Sequence, residues 1–247
     1  MCLLLLLSSP LFSWSSDYGA LYKAANEQYR KAQYQDAVKS YTEIVDGGYQ
    51  SATVYYNLGN AYFKLGDVPS ALLYYEKAHV LSPGDEDINF NIYFANSKTP
   101  DKVEPAPAFF ATQWWHSIIL FFPIGTLSVL SVLCFIVASG SLVLYLFTHI
   151  IALKKVSFYT GILVFFAGLL FVFISNRQAH YFNDHHTAII FSGSVNVRSG
   201  PGEQATTLFV LHDGTKINIL DTSNDWIKVQ LANGNEGWIQ QADVKEI

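Results

Sequence analysis

A cluster of three histidines has the residue types and spacing that could do chemistry. His180, His185 and His186 lie close together, and Asp184 is the nearby carboxylate. A zinc site needs a complete ligand set at fixed geometry, usually with cysteine or further carboxylates. The cluster therefore favours a solvated segment over a metal site. The cysteines lie in apolar runs, which excludes a disulfide framework and a thiol active site.

Motifs of the common hydrolases and nucleotide-binding enzymes are absent. The sequence contains no G-x-S-x-G, no H-E-x-x-H and no Walker loop, and the turn at Gly200–Gly202 is too short to hold a phosphate. We therefore predict no catalytic residues, no metal and no cofactor, and a chain that is not an enzyme. A metal-dependent hydrolytic activity at His185 is the enzyme alternative.

The N-terminal region repeats itself every 34 residues. Ala37 and Tyr41 recur as Ala71 and Tyr75, and Asn26 recurs as Asn60. That period is the one of tetratricopeptide repeats (TPR). The second repeat, about residues 52–85, resembles the TPR pattern at fixed spacing, and the first, about 18–51, matches it less closely. The matching positions of the second repeat are Tyr55, Leu58, Gly59, Tyr62, Ala71, Tyr75, Ala78 and Pro83.

The resemblance to TPR proteins implies a concave groove lined by the first helix of each repeat. A third helix, residues 85–97, is expected to cap the array of residues 17–97. Asparagines in the groove could bond a peptide backbone, and Arg30 and Lys64 could meet a carboxylate. The alternative is that the aromatic residues are repeat core and the asparagines are solvated. The implied groove residues are Tyr22, Asn26, Tyr29, Arg30, Tyr56, Asn60, Phe63 and Lys64, with Asn57 and Asn91 at the rim.

The C-terminal region, residues 187–247, alternates at the period of a β-strand. The segments NVRSGPG, DGT, W-x-K-V and G-x-x-G-W-I resemble the motifs of bacterial SH3-like domains. An Asn-Gly pair between alternating strands is a strong hairpin signal. The resemblance implies a small all-β barrel, and many such barrels bind cell-wall peptides. Partial burial in the barrel is the alternative for the tryptophans. The candidate ligand contacts are Asn196, Arg198, Trp226 and Trp238.

A region with almost no charged residues separates these two parts, which indicates a membrane segment between them. Charged residues are 14% of the 247 residues, against about 25% in an average soluble chain. From Ser117 to Ser175 the only charged side chains are Lys154 and Lys155. We therefore predict two transmembrane helices. Their glycines could pack the two helices closely or face lipid. The predicted divisions are a Pro-rich linker with interfacial aromatics at 98–116, a first transmembrane region at 117–147, a cytoplasmic loop at 148–157, a second span at 158–175 and a linker at 176–186.

The N-terminus and the loop charges predict the topology. Residues 1–16 combine an apolar run with small residues, as in a signal peptide, although the basic start of such a segment is missing. The two lysines should keep the short loop in the cytoplasm. Both water-exposed parts would then face the periplasm or exterior from the inner (cytoplasmic) membrane.

The whole order of modules resembles the BatE proteins of the Bat (Bacteroides aerotolerance) operons of Bacteroidetes and related bacteria. The segments that carry the resemblance are YYNLGNAYFKLG, YYEKA, INFN and VNVRSGPG. It implies a scaffold that assembles Bat-type membrane proteins and is linked to oxidative-stress tolerance. The alternative is a membrane anchor that binds peptidoglycan through the barrel. The net charge of −5 and the lack of a basic stripe predict no nucleic-acid partner.

Overall fold

A computed structural model describes residues 11–107, 109–184 and 186–247. Within those ranges the chain forms a helical array, two long apolar helices and an antiparallel sheet. Most of the predicted signal peptide lies outside the described residues. The helices are α1 (Leu11–Arg30), α2 (Tyr34–Asp46), α3 (Ala52–Lys64), α4 (Val68–Leu81), α5 (Glu86–Asn96), α6 (Phe110–Ile119), α7 (Ile124–Phe147) and α8 (Ile151–Asp184). The strands are β1 (Thr187–Ile190), β2 (Ser194–Arg198), β3 (Thr207–His212), β4 (Lys216–Ser223), β5 (Trp226–Gln230), β6 (Glu236–Gln240) and β7 (Val244–Glu246).

Helices α1 to α5 form the predicted repeat array. Small residues allow its helices to approach closely: a Cβ on Gly59 would lie 2.6 Å from the Tyr75 ring. Gly66, with a φ of 82°, makes the turn between α3 and α4. The Asp67 side chain then accepts a hydrogen bond from the Ser70 amide at 3.0 Å and caps α4. These local signals set both the helix ends and the packing of the second repeat.

The two apolar helices pack side by side, and each is long and apolar enough to cross a membrane. Gly161 and Gly168 face α7, because a Cβ on either would lie within 3.2 Å of an α7 side chain. Gly125 and Gly140 face open space. The glycines of α8 therefore allow close packing of the two helices, whereas the glycines of α7 do not contribute to it.

Two predicted boundaries in this region differ from the structure. The loop predicted at 148–157 is short, since α8 already begins at Ile151, and the linker predicted at 176–186 is helical as far as Asp184. No glycine or proline lies between Ile151 and Thr160, and lysine is a good helix former. Charge therefore marks the end of the apolar stretch without ending the helix.

The sheet has the strand order β3-β2-β6-β5-β4-β1-β7 and is antiparallel throughout. Gly234, with a φ of 89°, closes the predicted Asn-Gly hairpin between β5 and β6. Irregularities in β2 and β4 bend the sheet. The inward residues form the barrel core, namely Ala188, Ile190, Val195, Val197, Leu211, Ile217, Ile227, Val229, Leu231 and Ile239.

The array and the barrel pack against each other. Ala188 and Ile190 of β1 point into the barrel, whereas Ile189 joins a cluster with Leu72 and Tyr75 of α4. Lys216 donates to the buried Glu76 carboxylate at 2.7 Å. Strand β1 is therefore buried on both faces, which explains its uninterrupted apolar run.

The first part of the predicted Pro-rich linker, after α5, is fastened to the barrel. The Asp101 carboxylate accepts hydrogen bonds from the His212 amide at 2.7 Å and from Thr215 Oγ1 at 2.8 Å. Val103 packs on the barrel core, and the Ala106 amide donates to the Ala232 carbonyl at 2.9 Å. Proline excludes a regular helix here, so the extended backbone finds its partners on the barrel.

The array contacts one end of the apolar helix pair, and the barrel follows α8 at that same end, since β1 begins at Thr187. Gly84, in the turn before α5, lies against the Phe121 carbonyl, which comes just before α7. His79 of α4 contacts the Phe182 ring near the end of α8, with ring centroids 6.2 Å apart. The α7–α8 connection therefore lies at the far end of this pair, roughly 36 Å away for a helix of this length.

Candidate functional site

Helices α1, α3 and α5 lie side by side and are joined by side-chain hydrogen bonds. The Asn57 amide of α3 donates to the Tyr22 hydroxyl and to Asn26 Oδ1, both at 3.1 Å. The Tyr41 hydroxyl of α2 donates to the same Asn26 oxygen at 2.5 Å. Asn26 therefore ties three helices together.

The same network recurs 34 residues later. The Asn91 amide donates to the Tyr56 hydroxyl at 3.1 Å and to Asn60 Oδ1 at 2.9 Å. The Tyr75 hydroxyl donates to Asn60 Oδ1 at 2.7 Å. Asn26 and Asn60 are therefore not simply solvated, and their carbonyl oxygens are already used within the array. Their amide N–H groups stay candidates for a bond to a peptide backbone.

The tyrosines that donate to these asparagines were not among the predicted groove residues. Burial raises the pKa of Tyr41 and of Tyr75 well above the ordinary value, and the neighbouring tyrosines raise it further. Both hydroxyls therefore stay protonated and remain donors across the physiological pH range. The recurrence of Tyr41 as Tyr75 after 34 residues is visible in the sequence, but recurrence alone does not reveal a hydrogen bond.

Beside this network lies an open cleft of about 240 Å³ between α1 and α3. Arg30 stands exposed at its edge and pairs with Glu27. Lys64 is exposed at the end of α3, the position in that helix that matches Arg30 in α1. Four of the eight predicted groove residues line the cleft. Its lining is Asn26, Tyr29, Arg30, Tyr41, Asn57 and Asn60.

The other predicted groove residues have different places. Tyr22 and Tyr56 are half-buried and each accepts a hydrogen bond from an asparagine of the next repeat. Phe63 contacts the Phe94 ring of α5, with centroids 5.5 Å apart. These three side chains hold neighbouring helices together, so the cleft and its charged edge are the part of the groove that is open to a ligand.

On the barrel, the predicted ligand residues lie on the outer face of the sheet. Arg198 of β2 is paired with Trp238 of β6, and its guanidinium carbon lies 6.0 Å from the Trp226 ring centroid. Asn196 is exposed on the same strand. Both tryptophans are half-buried, yet neither belongs to the core. The structure therefore brings Arg198 and the two tryptophans together.

The Arg198 side chain already has partners within the domain. Its Nη1 atom donates to the Glu203 carbonyl at 2.7 Å and to the Ala205 carbonyl at 2.9 Å. These bonds fix the loop between β2 and β3 beside Trp226. A neighbouring cleft of about 610 Å³ is lined by Glu203, Asp225, Trp226, Gln240, Gln241 and Ala242. The aromatic edge of Trp226 is therefore open to a ligand, while the Nη1 donors of Arg198 are used within the domain.

In the part of the chain that the structure describes, no group of three His, Cys, Asp or Glu residues is arranged to hold a metal ion. His185 lies outside the described residues. His180 and His186 are exposed.

Comparison with known proteins identifies the two modules. The tetratricopeptide repeat family matches residues 22–86, and the bacterial SH3 domain family matches residues 193–245. The chain combines a tetratricopeptide repeat array with a bacterial SH3 domain. Neither match covers half of the chain, so each identifies a module and not the whole protein.

The similar proteins are longer and match in part. The Putative N-acetylmuramoyl-L-alanine amidase YrvJ of Bacillus subtilis (strain 168) is 36% identical over 52 residues, which are 21% of this chain and 10% of YrvJ. The solved structures of NlpC2 and NlpC1 from Trichomonas vaginalis are 15% and 16% identical over 26% of this chain, each with a TM-score of 0.24. The chain spans about a tenth of YrvJ and about a quarter of these solved chains.

Proposed function

We propose that this protein is a membrane-anchored scaffold whose repeat groove gathers protein partners. The observation that carries the proposal is the open cleft between α1 and α3, whose lining includes the exposed Arg30, with the exposed Lys64 at the matching position of α3. The barrel packs on α4, through Leu72 and Glu76, and leaves this cleft uncovered. The repeats and the SH3 domain are non-catalytic modules, which supports a binding role and not an enzyme.

The geometry supports an outward-facing topology. The array and the barrel share one end of the α7–α8 pair, and Lys154 and Lys155 lie at the other end. If both helices cross the inner membrane, the positive-inside rule places the lysines in the cytoplasm and both modules outside. Protease added to spheroplasts should then digest both modules, and protection of either one would contradict this topology.

The partner proposed for the groove is a Bat-type membrane protein with a von Willebrand factor-type domain. The module order and the segments that resemble BatE proteins support this proposal, and it would link the scaffold to oxidative-stress tolerance. It also gives the scaffold a reason to be anchored, because its partners would lie in the same membrane.

The groove is tested with charge reversals at its open edge. Lys64→Glu in the full-length protein should abolish co-purification of a Bat-type partner from native membranes, because the substitution replaces attraction by repulsion. Lys39→Glu is the matched control, since Lys39 is exposed on α2. Asn60 is unsuitable for this test because it joins three helices. Unchanged recovery with Lys64→Glu would refute a groove-mediated function.

The second candidate function is peptidoglycan binding through the barrel. The match to the bacterial SH3 domain and the exposed edge of Trp226 favour it. Trp226→Ala should then reduce sedimentation of the full-length protein with purified peptidoglycan, whereas Leu220→Ala, an exposed apolar change on β4, should not. Equal sedimentation of both variants and the wild type would rule out this surface.

A further inference from the structure

The groove spacing continues into a third helix. Arg30 and Lys64 are followed after another 34 residues by Lys98, and Asn26 and Asn60 are followed by Phe94. Because Asn91 of α5 bonds to Tyr56 and Asn60 of α3, the third helix sits beside the second as the second sits beside the first. Helix α5, predicted as a cap, therefore also carries groove positions.

At this position the third helix carries an aromatic residue, Phe94, where the first two helices carry the amides Asn26 and Asn60. The rings of Phe90 and Phe94 are stacked, with centroids 6.2 Å apart and planes 4° from parallel. Phe90 is 63% exposed and Phe94 is 41% exposed. Solvent-exposed stacked phenylalanines of this kind provide an apolar surface for a ligand side chain.

Lys64 and Lys98 are available to an acidic ligand. Among the described residues, neither has a carboxylate within ion-pair distance, whereas Arg30 is paired with Glu27. The Lys98 ammonium lies 5.0 Å from the Phe94 ring centroid, so charge and apolar surface adjoin. Cations near a helix C-terminus interact favourably with the helix dipole, whose partial charge of about −0.5 does not neutralise a full positive charge.

Helix α5 lacks the small residue that would let a helix of a partner protein pack closely against it and complete a third repeat. The positions that face the second helix within repeats one and two are Ala25 and Gly59, both buried and small. The matching residue of α5 is Tyr93, which is 74% exposed. A large side chain here keeps a helix from approaching closely, so the open face of α5 fits an extended segment better.

We propose that the groove binds an extended acidic segment of a protein partner, with an aliphatic or aromatic side chain resting on Phe90 and Phe94. This inference rests on the proposed scaffold function and names the chemistry of its partner. Packed helices are about 8–10 Å apart and an extended chain rises about 3.3 Å per residue. Acidic residues that meet Lys64 and Lys98 should therefore recur at about every third position.

The direct test uses synthetic peptides and the full-length protein in detergent. The probe is a fluorescent peptide with glutamate at every third position and phenylalanine at one end. Its matched forms replace each glutamate by glutamine or shift the glutamates to irregular spacing. Binding should be strongest for the regular acidic peptide and should weaken as salt screens the charges. Equal binding of the glutamine form would overturn the proposal.

Variants of the protein locate the binding. Lys98→Gln should weaken binding of the acidic peptide about two- to fivefold, and Phe90→Ser about tenfold or more. Lys39→Gln removes the same charge from α2 and should leave binding unchanged. Phe90 is mostly exposed, so Phe90→Ser should keep the helical circular dichroism of the wild type. Wild-type affinity in both groove variants would overturn the proposal.

Two further outcomes separate this inference from the scaffold function. If Lys64→Glu abolishes partner co-purification while Lys98→Gln and Phe90→Ser bind every peptide as the wild type does, the function stands and the acidic-ligand inference fails. If anionic phosphatidylglycerol vesicles compete fully with the acidic peptide, and their binding needs Lys98 and Phe90, the surface binds lipid and the inference also fails.

Discussion

Removing the Asp101 carboxylate should loosen the docking of the barrel onto the array. Its side chain is 16% exposed and accepts three hydrogen bonds, from the amide and ring Nδ1 of His212 and from Thr215 Oγ1. Hydrogen bonds to charged groups contribute about 1.5–3 kcal/mol each, and a buried donor left unpaired costs about 1–3 kcal/mol. Water can enter this partly exposed site, so we expect Asp101→Ala to cost about 2–4 kcal/mol in total.

Hydrogen–deuterium exchange of the full-length protein in nanodiscs measures this loss. The Ile190 amide bonds to the Thr215 carbonyl and the Gly214 amide to the Ile190 carbonyl, so both report on the docked edge without contacting Asp101. A cost of 2–4 kcal/mol corresponds to about 30- to 700-fold faster exchange of these amides. Glu104→Ala removes an exposed carboxylate from the same segment and is the matched control. Equal exchange in the two variants would show that Asp101 does not hold the barrel.

The charge of Asp101 also predicts a pH dependence. Burial alone would raise the pKa of Asp101, but the hydrogen bonds from His212 and Thr215 outweigh burial and hold it below the ordinary value of 3.8. A lowered folded pKa stabilises the docked state above the ordinary value, and that stabilisation is lost as the pH falls through the folded value. The advantage of the wild type over Asp101→Asn should therefore be constant down to about pH 4 and shrink below it.

Three further predictions concern packing and charge. Gly59→Ala should destabilise the array by about 1–3 kcal/mol in thermal unfolding, because the new Cβ would lie 2.6 Å from the Tyr75 ring. Gly19→Ala meets nothing within 4 Å and should instead stabilise α1 by up to about 1 kcal/mol; a similar effect of both changes would contradict the close approach. Lys216→Met alone should destabilise the protein, because it leaves the buried Glu76 charge without its partner. The double variant with Glu76→Leu should recover much of that loss, and additive losses in the melting temperature would argue against a buried ion pair.

The elements that the sequence predicts well are those with local signals. The second repeat combines helical periodicity with Gly59, a glycine turn and the Asp67 cap, and the structure confirms its two helices. The β5–β6 hairpin follows from Asn-Gly between alternating strands. In both cases the residues that determine the conformation lie within a few positions of the element they form.

The differences arise where the deciding contact is distant in the sequence. The loop predicted at 148–157 is helical from Ile151 onward, because Lys154 and Lys155 interrupt the apolar run but have no backbone preference that ends a helix. The segment around Asp101 has the composition of a free linker, but its carboxylate meets residues more than a hundred positions away. Composition describes what a segment would do alone and cannot identify a partner of this kind.

The candidate groove shows the same limit at single residues. Asn26 and Asn60 recur at the repeat spacing, which fits both ligand binding and repeat packing. The structure shows that their carbonyl oxygens take part in packing, since each accepts two hydrogen bonds from neighbouring helices. A repeat must conserve its own stacking contacts before it can present a ligand site. Periodic polar residues are therefore first candidates for stacking, and the exposed cations beside them are better candidates for binding.

Strand β1 shows why the two modules should be studied in one chain. Its apolar run is typical of a strand buried on both faces, but the run does not reveal what covers the outer face. In the structure that cover is α4, since Ile189 lies in one buried cluster with Leu72 and Tyr75. An isolated barrel of residues 183–247 would expose Ile189 and lose the packing of Val103 against its core. Loss of binding after such a deletion would then report damaged packing, and for that reason substitutions of exposed side chains give the clearer test of either surface.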